Sequence, residues 1–306
     1  SPLARAFSIA DWSSIMLNHE INKAFRARLN RGGAILMPGA ANALAARVIA
    51  DLGFEAIYLS GAGLTNTYLG MPDLGFISLP EIAQHTATIR DSTDLPIVVD
   101  ADTGFGNALN VRHTIRTLER AGASAIQLED QVSPKRCGHF SGKDVVDLGE
   151  ARGRIKAAVD ARQDPNLLIV ARTDARATQG FAAAIERAQA FIEDGADITF
   201  VEAPESVDEI RDIPARLKNT PQLVNLVVGG RTPIMPLETL DKLGFSLVLY
   251  ANVALQGAVY GMQAALGELK SKGSLDEDGP VASFKERQRL VNKPLFDELE
   301  KRYVSS

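Results

Sequence analysis

The stretch IVVDADTGFGNALNVRHTIRTLERAGASAIQLED (97–130) contains one complete strand–helix–strand unit of this chain. Two short apolar runs, Ile97–Val99 and Ala125–Leu128, flank a segment in which apolar residues recur at three- and four-residue spacing and which stops at Gly122. Continuous apolar runs of this length are typical of parallel strands that are buried on both faces. Glycine is the usual left-handed stop of a helix. The stretch therefore predicts two parallel strands joined by a helix.

The same alternation of apolar run and helical segment occurs eight times along the chain. The apolar runs are Ala34–Met37, Ala56–Leu59, Ile97–Val99, Ala125–Leu128, Leu168–Ala171, Ile198–Val201, Leu223–Val224 with Asn225, and Leu247–Tyr250. Helical spacing is clearest at 41–53, 110–122, 149–162, 181–195 and 206–217. Eight alternations predict an α/β fold, the (β/α)8 TIM barrel, ahead of an open doubly wound sheet. No G-x-G-x-x-G follows the first run, which argues against a dinucleotide-binding fold.

The two ends of the chain read as helical additions to the barrel. The residues before Ala34 include the helix-like stretch INKAFRARL, and the tail is helical in pattern, with no sharp linker at either end. We therefore predict a single domain over 1–306, with a helical N-terminal arm (1–33) and a helical C-terminal tail (253–306). Two connections, Gly61–Pro80 and Asp130–Leu148, are longer than the others, and loops of this length in a compact domain are often functional.

Composition excludes several classes of function. The 306 residues are 45% hydrophobic and carry a net charge of −5; the basic stripe of a nucleic-acid-binding protein is absent. No apolar run reaches the ~18 residues of a membrane span, and SPLARAFSIADW (1–12) lacks the apolar core of a signal peptide. Cys137 is the only cysteine, so a reducing, cytoplasmic setting is expected. Neither nucleic acid nor membrane is an expected partner.

Polar side chains follow the predicted strands at one end. They are Ser60, Asp100 with Asp102, Glu129, Arg172 with Asp174, Glu202, Asn225 and Asn252. In a parallel barrel the carboxyl ends of the strands form the active site, so we expect these groups to share one cavity. Converging carboxylates raise one another's pKa unless a cation is present. Oxygen ligands without a Cys/His cluster favour Mg²⁺ or Mn²⁺, and Arg172 could hold a substrate carboxylate through two hydrogen bonds.

The long connection after the fourth strand holds Lys135-Arg136-Cys137-Gly138-His139. Neighbouring cations favour the thiolate and lower the pKa of a cysteine. A thiol flanked by glycine in a long loop could serve as a general acid or base. On composition alone, the alternative is a solvated basic loop in which the cysteine is incidental, and for His139 a structural hydrogen-bonding role is as good an interpretation as catalysis.

Taken together, these motifs resemble the isocitrate lyase/phosphoenolpyruvate mutase superfamily. Within it the chain is most similar to the short-chain lyase branch of 2-methylisocitrate lyase, 2,3-dimethylmalate lyase and petal death protein. The resemblance covers about residues 25–273 and rests on these segments: YLSGAG (58–63), GMPDLG (70–75), VVDADTGFGN (98–107), LEDQVSPKRCGH (128–139), ARTDA (171–175), FVEA (200–203) and GGRTP (229–233). The combination of KRCGH with DADTGFG points to the lyases.

The resemblance implies a role for each matching residue. Asp100 and Asp102 match the metal-site aspartates, with Asp73 and Glu129 acting through water. The remaining matches are Ser60, Gly61, Ala62 and Arg172 for the substrate carboxylate, Cys137 as the catalytic cysteine with Lys135, Arg136, Gly138 and His139 beside it, Glu202 and Asn225 around the leaving fragment, and Tyr58 for proton removal. It also implies a Mg²⁺ cofactor (Mn²⁺ in its place), and a homotetramer in which the last barrel helix swaps between neighbouring subunits.

The implied reaction breaks the C2–C3 bond of a 2-hydroxy dicarboxylate or tricarboxylate. Tyr58 helps to remove the proton of the 2-hydroxyl, which the cation acidifies. The alkoxide then collapses to a ketone, and negative charge develops on the departing enediolate. Cys137 protonates its carbon. The products are a 2-oxoacid such as pyruvate and a second carboxylic acid.

One position departs from the family pattern. Relatives commonly carry N-M-V/I-E after the seventh strand, whereas this chain reads NLVVGG (225–230), with Val228 in place of the glutamate. The loss of a charge near the distal part of the substrate suggests a more apolar, alkyl-substituted malate.

Three alternatives remain at this level. Oxaloacetate hydrolase, which gives oxalate and acetate, could use the same metal and cysteine. A class I aldolase would use Lys135 as a Schiff base, although the carboxylate cluster argues against it. A non-enzymatic metal-binding scaffold would have no need of both the aspartate pair and Cys137.

Overall fold

The computed structural model describes residues 17–135 and 144–304. Eight parallel strands form one sheet in the order β1-β8-β7-β6-β5-β4-β3-β2. Their bounds are β1 Ile35–Pro38, β2 Ile57–Leu59, β3 Ile97–Asp100, β4 Ala125–Glu129, β5 Leu168–Thr173, β6 Ile198–Val201, β7 Gln222–Asn225 and β8 Leu247–Tyr250. Each predicted apolar run coincides with one of these strands to within two residues at either end. The predicted eight-stranded α/β architecture is confirmed.

The first and second strands close the sheet into a barrel. Gly39 and Tyr58 form a parallel bridge, and the Ala40 amide donates a hydrogen bond to the Tyr58 carbonyl at 2.8 Å. On its other side, the Gly39 amide donates to the Tyr250 carbonyl at 3.0 Å. The eight strands with their surrounding helices therefore make a (β/α)8 TIM barrel.

Helices surround the barrel and extend it at both ends. Those on the described residues are α1 Asn18–Asn30, α2 Ala43–Asp51, α3 Gly61–Leu64, α4 Leu79–Arg90, α5 Ala108–Arg120, α6 Leu148–Ala161, α7 Ala175–Gln179, α8 Phe181–Glu193, α9 Val207–Arg216, α10 Leu237–Leu243, α11 Val253–Lys272, α12 Phe284–Leu290 and α13 Lys293–Val304. Positive-φ glycines follow several of them, including Gly122 and Gly244, as expected for left-handed helix stops.

The connection predicted as a long loop over Gly61–Pro80 is partly helical. It begins with α3 and continues as a π-helical turn at Thr65–Leu69. The Ser60 hydroxyl accepts a hydrogen bond from the Gly63 amide at 3.2 Å and so caps α3. The Thr65 hydroxyl donates to the Gly61 carbonyl at 2.7 Å. The helical part spans nine residues, too few to show a helical period in the sequence.

The helix α1 covers the amino-terminal end of the barrel. Phe25 and Leu29 pack in the same cluster as Ile35, Ala125 and Leu168, which open three of the strands. A buried apolar plug at this end leaves the opposite, carboxyl end of the barrel as the one available for a site.

The C-terminal helices lie on the outside. Arg289 of α12 donates hydrogen bonds to both carboxylate oxygens of Asp51, which ends α2, at 2.7 and 2.6 Å. The 20-residue helix α11 buries none of its residues, and Tyr260 on it is 77% exposed. Within the described residues, no helix is both long and apolar enough to cross a membrane.

Barrel closure generates a stability prediction. A Cβ at position 39 would lie 1.9 Å from the carbonyl oxygen of Ala251, and this backbone contact cannot be relieved by turning a side chain. Gly39→Ala should therefore lower the free energy of unfolding by about 3 kcal/mol or more, measured by urea unfolding. The matched control is Gly153→Ala in α6, where a Cβ would meet nothing within 4 Å. That variant should gain about 0.5–1 kcal/mol; equal effects of the two substitutions would contradict this description of the closure.

Candidate active site

The site is built by the alternation of side chains along the strands, because successive residues of a strand face opposite sides of the sheet. In β4, Ala125 packs in the inner cluster, whereas Ile126 and Leu128 pack in the outer cluster beneath the helices. Gln127 and Glu129 therefore share the inner face with Ala125. The inward-facing groups at the carboxyl ends of the strands line a pocket that is partly open to solvent.

The pocket collects the predicted site residues from seven parts of the chain. Its lining includes Tyr58, Ser60, Ala62, Asp73, Asp100, Glu129, Lys135, Arg172, Glu202 and Asn225. Gly61 and Asp102 adjoin them: the Gly61 amide donates to Asp100 Oδ2 at 3.2 Å. Arg136, Cys137, Gly138 and His139 lie outside the described residues. Every predicted site residue that the structure describes is thus brought to one end of the barrel.

Lys135 forms the first of two buried cation–carboxylate groups. Its Nζ lies 2.8 and 2.9 Å from the two carboxylate oxygens of Asp73 and 2.8 Å from Asp102 Oδ1. Burial by itself would lower the pKa of Lys135, but the carboxylates around it, Asp102 first, hold that pKa above its ordinary value. Burial raises the pKa of Asp102 to about 7, although the ammonium acts in the opposite direction. Lys135 is therefore a cation placed among carboxylates.

Arg172 forms the second group. Its guanidinium donates two hydrogen bonds to Asp174, at 2.8 and 3.0 Å, and its Nε lies 3.4 Å from Glu129 Oε2. The guanidinium carbon lies 5.2 Å from the centre of the Phe200 ring, a cation–π distance. Burial raises the pKa of Glu129 well above its ordinary value, more than Arg172 lowers it. Asp174 orients Arg172, a role that the strand-end position of Asp174 alone did not predict.

Gln127 links two of the predicted residues. The Tyr58 hydroxyl donates to Gln127 Oε1 at 2.9 Å, and Gln127 Nε2 donates to Asp100 Oδ1 at 3.2 Å. Burial, followed by the charge of Asp100, raises the pKa of Tyr58 well above its ordinary value of 10. Sequence reasoning missed Gln127, and the available signal was a polar residue inside the apolar run AIQL. Tyr58 is thus a fixed, protonated hydroxyl.

Backbone conformation at the strand ends is unusual. Asp102 and Ala203, which follow β3 and β6, have φ values of 48° and 53°, the left-handed region that non-glycine residues seldom adopt. Such conformations concentrate at functional sites, where the surrounding structure enforces them. At Gly61 a Cβ would lie 3.2 Å from Asp102 Oδ1 and 3.3 Å from Asp100 Oδ2, so the backbone approaches the carboxylates closely because position 61 has no side chain.

The sequence and fold of this chain match known proteins. The family model described as phosphoenolpyruvate phosphomutase matches residues 25–270. The chain is 39% identical over 284 residues to the 2,3-dimethylmalate lyase of Eubacterium barkeri, covering 92% of this chain and 97% of that protein. It is 44% identical over 249 residues to the 2-methylisocitrate lyase of Aeropyrum pernix, covering 81% and 80% of the two chains.

Solved structures show the same architecture. A crystal structure of 2,3-dimethylmalate lyase aligns with a TM-score of 0.86 at 32% identity, covering 92% of this chain and 95% of that one. Oxaloacetate acetylhydrolase with 3,3-difluorooxalacetate aligns with a TM-score of 0.86 at 31% identity, covering 94% and 98%. Phosphonopyruvate hydrolase with oxalate and Mg²⁺ aligns with a TM-score of 0.84 at 30% identity, covering 93% and 99%.

The chain therefore belongs to the phosphoenolpyruvate mutase/isocitrate lyase superfamily. Two of the relatives reported above are named as lyases, and the chain is accordingly a carbon–carbon lyase of this superfamily.

The buried hydroxyl of Tyr58 generates a pH prediction. Tyr58→Phe should cost about 1 kcal/mol at pH 8, because the hydrogen bond to Gln127 is lost. The pKa of Tyr58 in the folded protein lies above the value of about 10 that it has in the unfolded chain. Tyr58 therefore stabilises the fold fully below pH 10, and this stabilisation is lost as pH rises from 10 toward the folded-state pKa. The stability advantage of the wild type should therefore shrink above pH 10 by up to about 1.4 kcal/mol per pH unit. Urea unfolding of both proteins between pH 8 and 11 measures this; a pH-independent difference would contradict it.

Proposed function

We propose that this protein is a Mg²⁺-dependent lyase that cleaves the C2–C3 bond of a 2-hydroxy dicarboxylate or tricarboxylate, of the 3-alkylmalate or 2-methylisocitrate type. The products are a 2-oxoacid such as pyruvate and a second carboxylic acid. The observation that carries the proposal is the pocket in which the guanidinium of Arg172 and the buried carboxylates of Asp100 and Glu129 face one space. The relatives named 2,3-dimethylmalate lyase and 2-methylisocitrate lyase support the substrate class.

The donor set fits a partly hydrated hard cation. The candidate ligands are Asp100 and Asp102, with Asp73 and Glu129 reached through water. Glu129 Oε1 is buried without a hydrogen-bond partner. In the part of the chain that the structure describes, no three Asp, Glu, His or Cys side chains converge as a complete ligand set. Mg²⁺ in proteins commonly uses one or two carboxylates and keeps several waters, so a full protein cage is not required. When bound, the cation supplies Lewis acidity that lowers the pKa of the substrate 2-hydroxyl.

The side chains of the pocket divide the remaining work. Arg172, fixed by Asp174, binds a substrate carboxylate in the planar geometry that a guanidinium favours. Ser60 and Ala62 line the pocket, and the Gly61 amide between them donates to Asp100 Oδ2. We assign these three residues to the same carboxylate. Tyr58, whose proton is held by Gln127, can accept a hydrogen bond from the substrate hydroxyl and orient it. Its raised pKa opposes ionisation, so we assign Tyr58 to orientation more than to direct proton removal.

The departing fragment needs donors and an acid. Glu202 and Asn225 line the pocket, and we assign them to the surroundings of the departing fragment. We assign protonation of its carbon to Cys137, whose thiol is the only one in the chain, with Lys135, Arg136, Gly138 and His139 beside it in sequence. Proton transfer by a positioned group of this kind contributes about 10²–10⁴-fold to rate.

Oxaloacetate hydrolysis to oxalate and acetate is the second candidate. The observation in its favour is the TM-score of 0.86 with oxaloacetate acetylhydrolase, over 94% of this chain. This reaction would use the same carboxylates and Arg172, with water attacking the substrate carbonyl in place of alkoxide collapse.

The surroundings of Lys135 argue against an aldolase of the Schiff-base type. An amine nucleophile must be neutral, and enzymes achieve this by lowering its pKa. Here Asp73 and Asp102 hold the ammonium at 2.8 Å and its pKa is raised. We therefore propose an electrostatic role for Lys135 beside the substrate and cation.

Assembly and setting complete the proposal. We propose a homotetramer in which α11 packs against a neighbouring subunit. In support, α11 buries none of its residues in this chain and exposes Tyr260, Met262 and Leu266 by 77%, 55% and 62%. A single cysteine agrees with a reducing, cytoplasmic compartment.

Product analysis tests the function directly. With Mg²⁺, the enzyme should convert 2-methylisocitrate, 2,3-dimethylmalate or another 3-alkylmalate into a 2-oxoacid, detected by NADH-coupled assay or NMR. EDTA should abolish the activity, and Cys137→Ser should lower kcat by about 10²-fold or more. Oxalate and acetate from oxaloacetate would favour the hydrolase instead. Activity that persists in EDTA would contradict the metal assignment, and undiminished activity of Cys137→Ser would contradict the role of the thiol.

Val228 tests the preference for an apolar substrate. Val227 lines the pocket and Val228 is 52% exposed in the same loop. Val228→Glu should change the ranking of substrates, because the introduced carboxylate disfavours an apolar C3 substituent. We expect kcat/KM for 3-alkylmalates to fall about tenfold relative to malates with a polar C3 substituent, since even a methylene-sized mismatch in an apolar pocket is worth about 1–3 kcal/mol. Val228→Leu serves as the uncharged control. An unchanged ranking in Val228→Glu would show that this position does not select the substrate.

A further inference from the structure

A buried ion pair lies just outside the pocket. Arg187 of α8 places Nε 3.2 Å from Oδ2 of Asp130, which directly follows β4. Arg187 is 4% exposed and Asp130 2%, and neither lines the pocket. Two charges removed from water carry a desolvation cost, and replacing such a pair by apolar residues is often neutral or stabilising. Stability alone therefore explains the pair poorly. The other residues that Asp130 and Arg187 contact indicate what the pair does.

Asp130 holds the carboxyl end of β5. Its Oδ1 accepts a hydrogen bond from the backbone amide of Asp174 at 2.9 Å. Its Oδ2 accepts one from the Thr173 hydroxyl at 2.7 Å. These two residues directly follow Arg172. Both carboxylate oxygens of Asp130 are thus used to fix the turn that begins immediately after the arginine.

The same turn carries the group that orients Arg172. The Asp174 carboxylate accepts two hydrogen bonds from the guanidinium, at 2.8 and 3.0 Å. A shift of the Asp174 backbone would therefore move the acceptor to which Arg172 is bound. A displacement of about 1 Å at a binding group can cost on the order of 10²-fold in rate.

Arg187 also joins this arrangement to the connection after β4. It donates a hydrogen bond to the carbonyl of Val146. The Val146 amide in turn donates to the carbonyl of Asp130 at 2.9 Å. Arg187 therefore restrains Asp130 in two ways. It pairs with the Asp130 carboxylate, and it binds Val146, whose amide is bonded to the Asp130 carbonyl.

We propose that Asp130 and Arg187 are positioning residues of the lyase site, which act on substrate binding through the orientation of the Arg172–Asp174 pair. This inference rests on the proposed role of Arg172 as the ligand of a substrate carboxylate. Neither residue touches the substrate. Their removal weakens the binding of a dicarboxylate without removing any group from the pocket.

The test is a double-mutant cycle on the binding of oxalate with Mg²⁺, measured by isothermal titration calorimetry on the full-length protein. Asp130→Asn should weaken oxalate binding about tenfold, because the amide cannot accept from both Thr173 and the Asp174 amide. In an Arg172→Lys background the same substitution should weaken binding less than twofold. Lysine cannot make the bidentate hydrogen bond to Asp174. A shift of Asp174 caused by Asp130→Asn would then no longer move the group that binds oxalate.

Arg187 supplies the second arm of the test. Arg187→Met should weaken oxalate binding about tenfold, and Arg187→Lys should restore part of the loss by returning a cation to Asp130. Arg162→Met is the matched control, because Arg162 also makes an ion pair, with Asp197, and a hydrogen bond to the Leu167 carbonyl, but at the opposite end of β5. The control should bind oxalate as the wild type does. Circular dichroism and thermal melting of each variant show that it is folded, and Asp130→Asn remains informative if Arg187→Met does not fold.

The outcomes separate this inference from the proposed function. Equal losses for Asp130→Asn in the wild-type and Arg172→Lys backgrounds would overturn it, since the effect would not pass through Arg172. So would wild-type oxalate affinity in folded Asp130→Asn. A tenfold loss confined to the wild-type background supports positioning even if no 2-hydroxy diacid is cleaved, in which case only the proposed substrate fails. The kinetic counterpart in an active enzyme is a rise in KM that exceeds the change in kcat.

Discussion

The arrangement of charges at the carboxyl end of the barrel is the constraint on which the site depends. Five carboxylates lie there with 8% exposure or less: Asp73, Asp100, Asp102, Glu129 and Glu202. So many carboxylates cannot stay ionised together without compensation. Lys135 and Arg172 supply positive charge from two sides, at 2.8 Å from Asp102 and 3.4 Å from Glu129. The remaining excess of negative charge favours the binding of a cation beside these carboxylates.

A barrel can hold these groups in fixed positions because each of its strands is restrained by several neighbours. Each strand is fixed by parallel neighbours on both sides, the closure at Gly39 and Tyr58 leaves no free edge, and α1 fills the opposite end. The left-handed backbone at Asp102 and Ala203 is sustained by this rigidity. The polar residues behind the pocket extend the same principle, because Asp130 and Arg187 fix a turn and not a ligand. The catalytic end of the molecule is thus supported by a layer of buried hydrogen bonds that the pocket itself does not reveal.

Prediction from sequence succeeded where a local signal was strong. The apolar runs around Ile97–Val99 and Ala125–Leu128 gave both strand identity and the end at which polar groups emerge, since carboxylates directly follow them. It failed where the signal was short or lay inside an element. The helical turns of Gly61–Leu69 occupy too few residues for a period to appear. Gln127 was hidden in an apolar run, and only the pairing of β3 with β4 brings it between Tyr58 and Asp100.

The sequence by itself determined the class of fold, the end of the barrel that carries the site and most of the side chains in it, because strand periodicity and residue type are local properties. The family resemblance then predicted roles that periodicity could not predict. Only the tertiary structure decided which charges meet: that Lys135 lies against Asp73 and Asp102, that Asp174 orients Arg172, and that Asp130 is held by Arg187 from a helix 57 residues further along the chain. Such pairings depend on distances between elements remote in sequence, and on burial strong enough to shift a pKa, and neither is written in any single stretch of the chain.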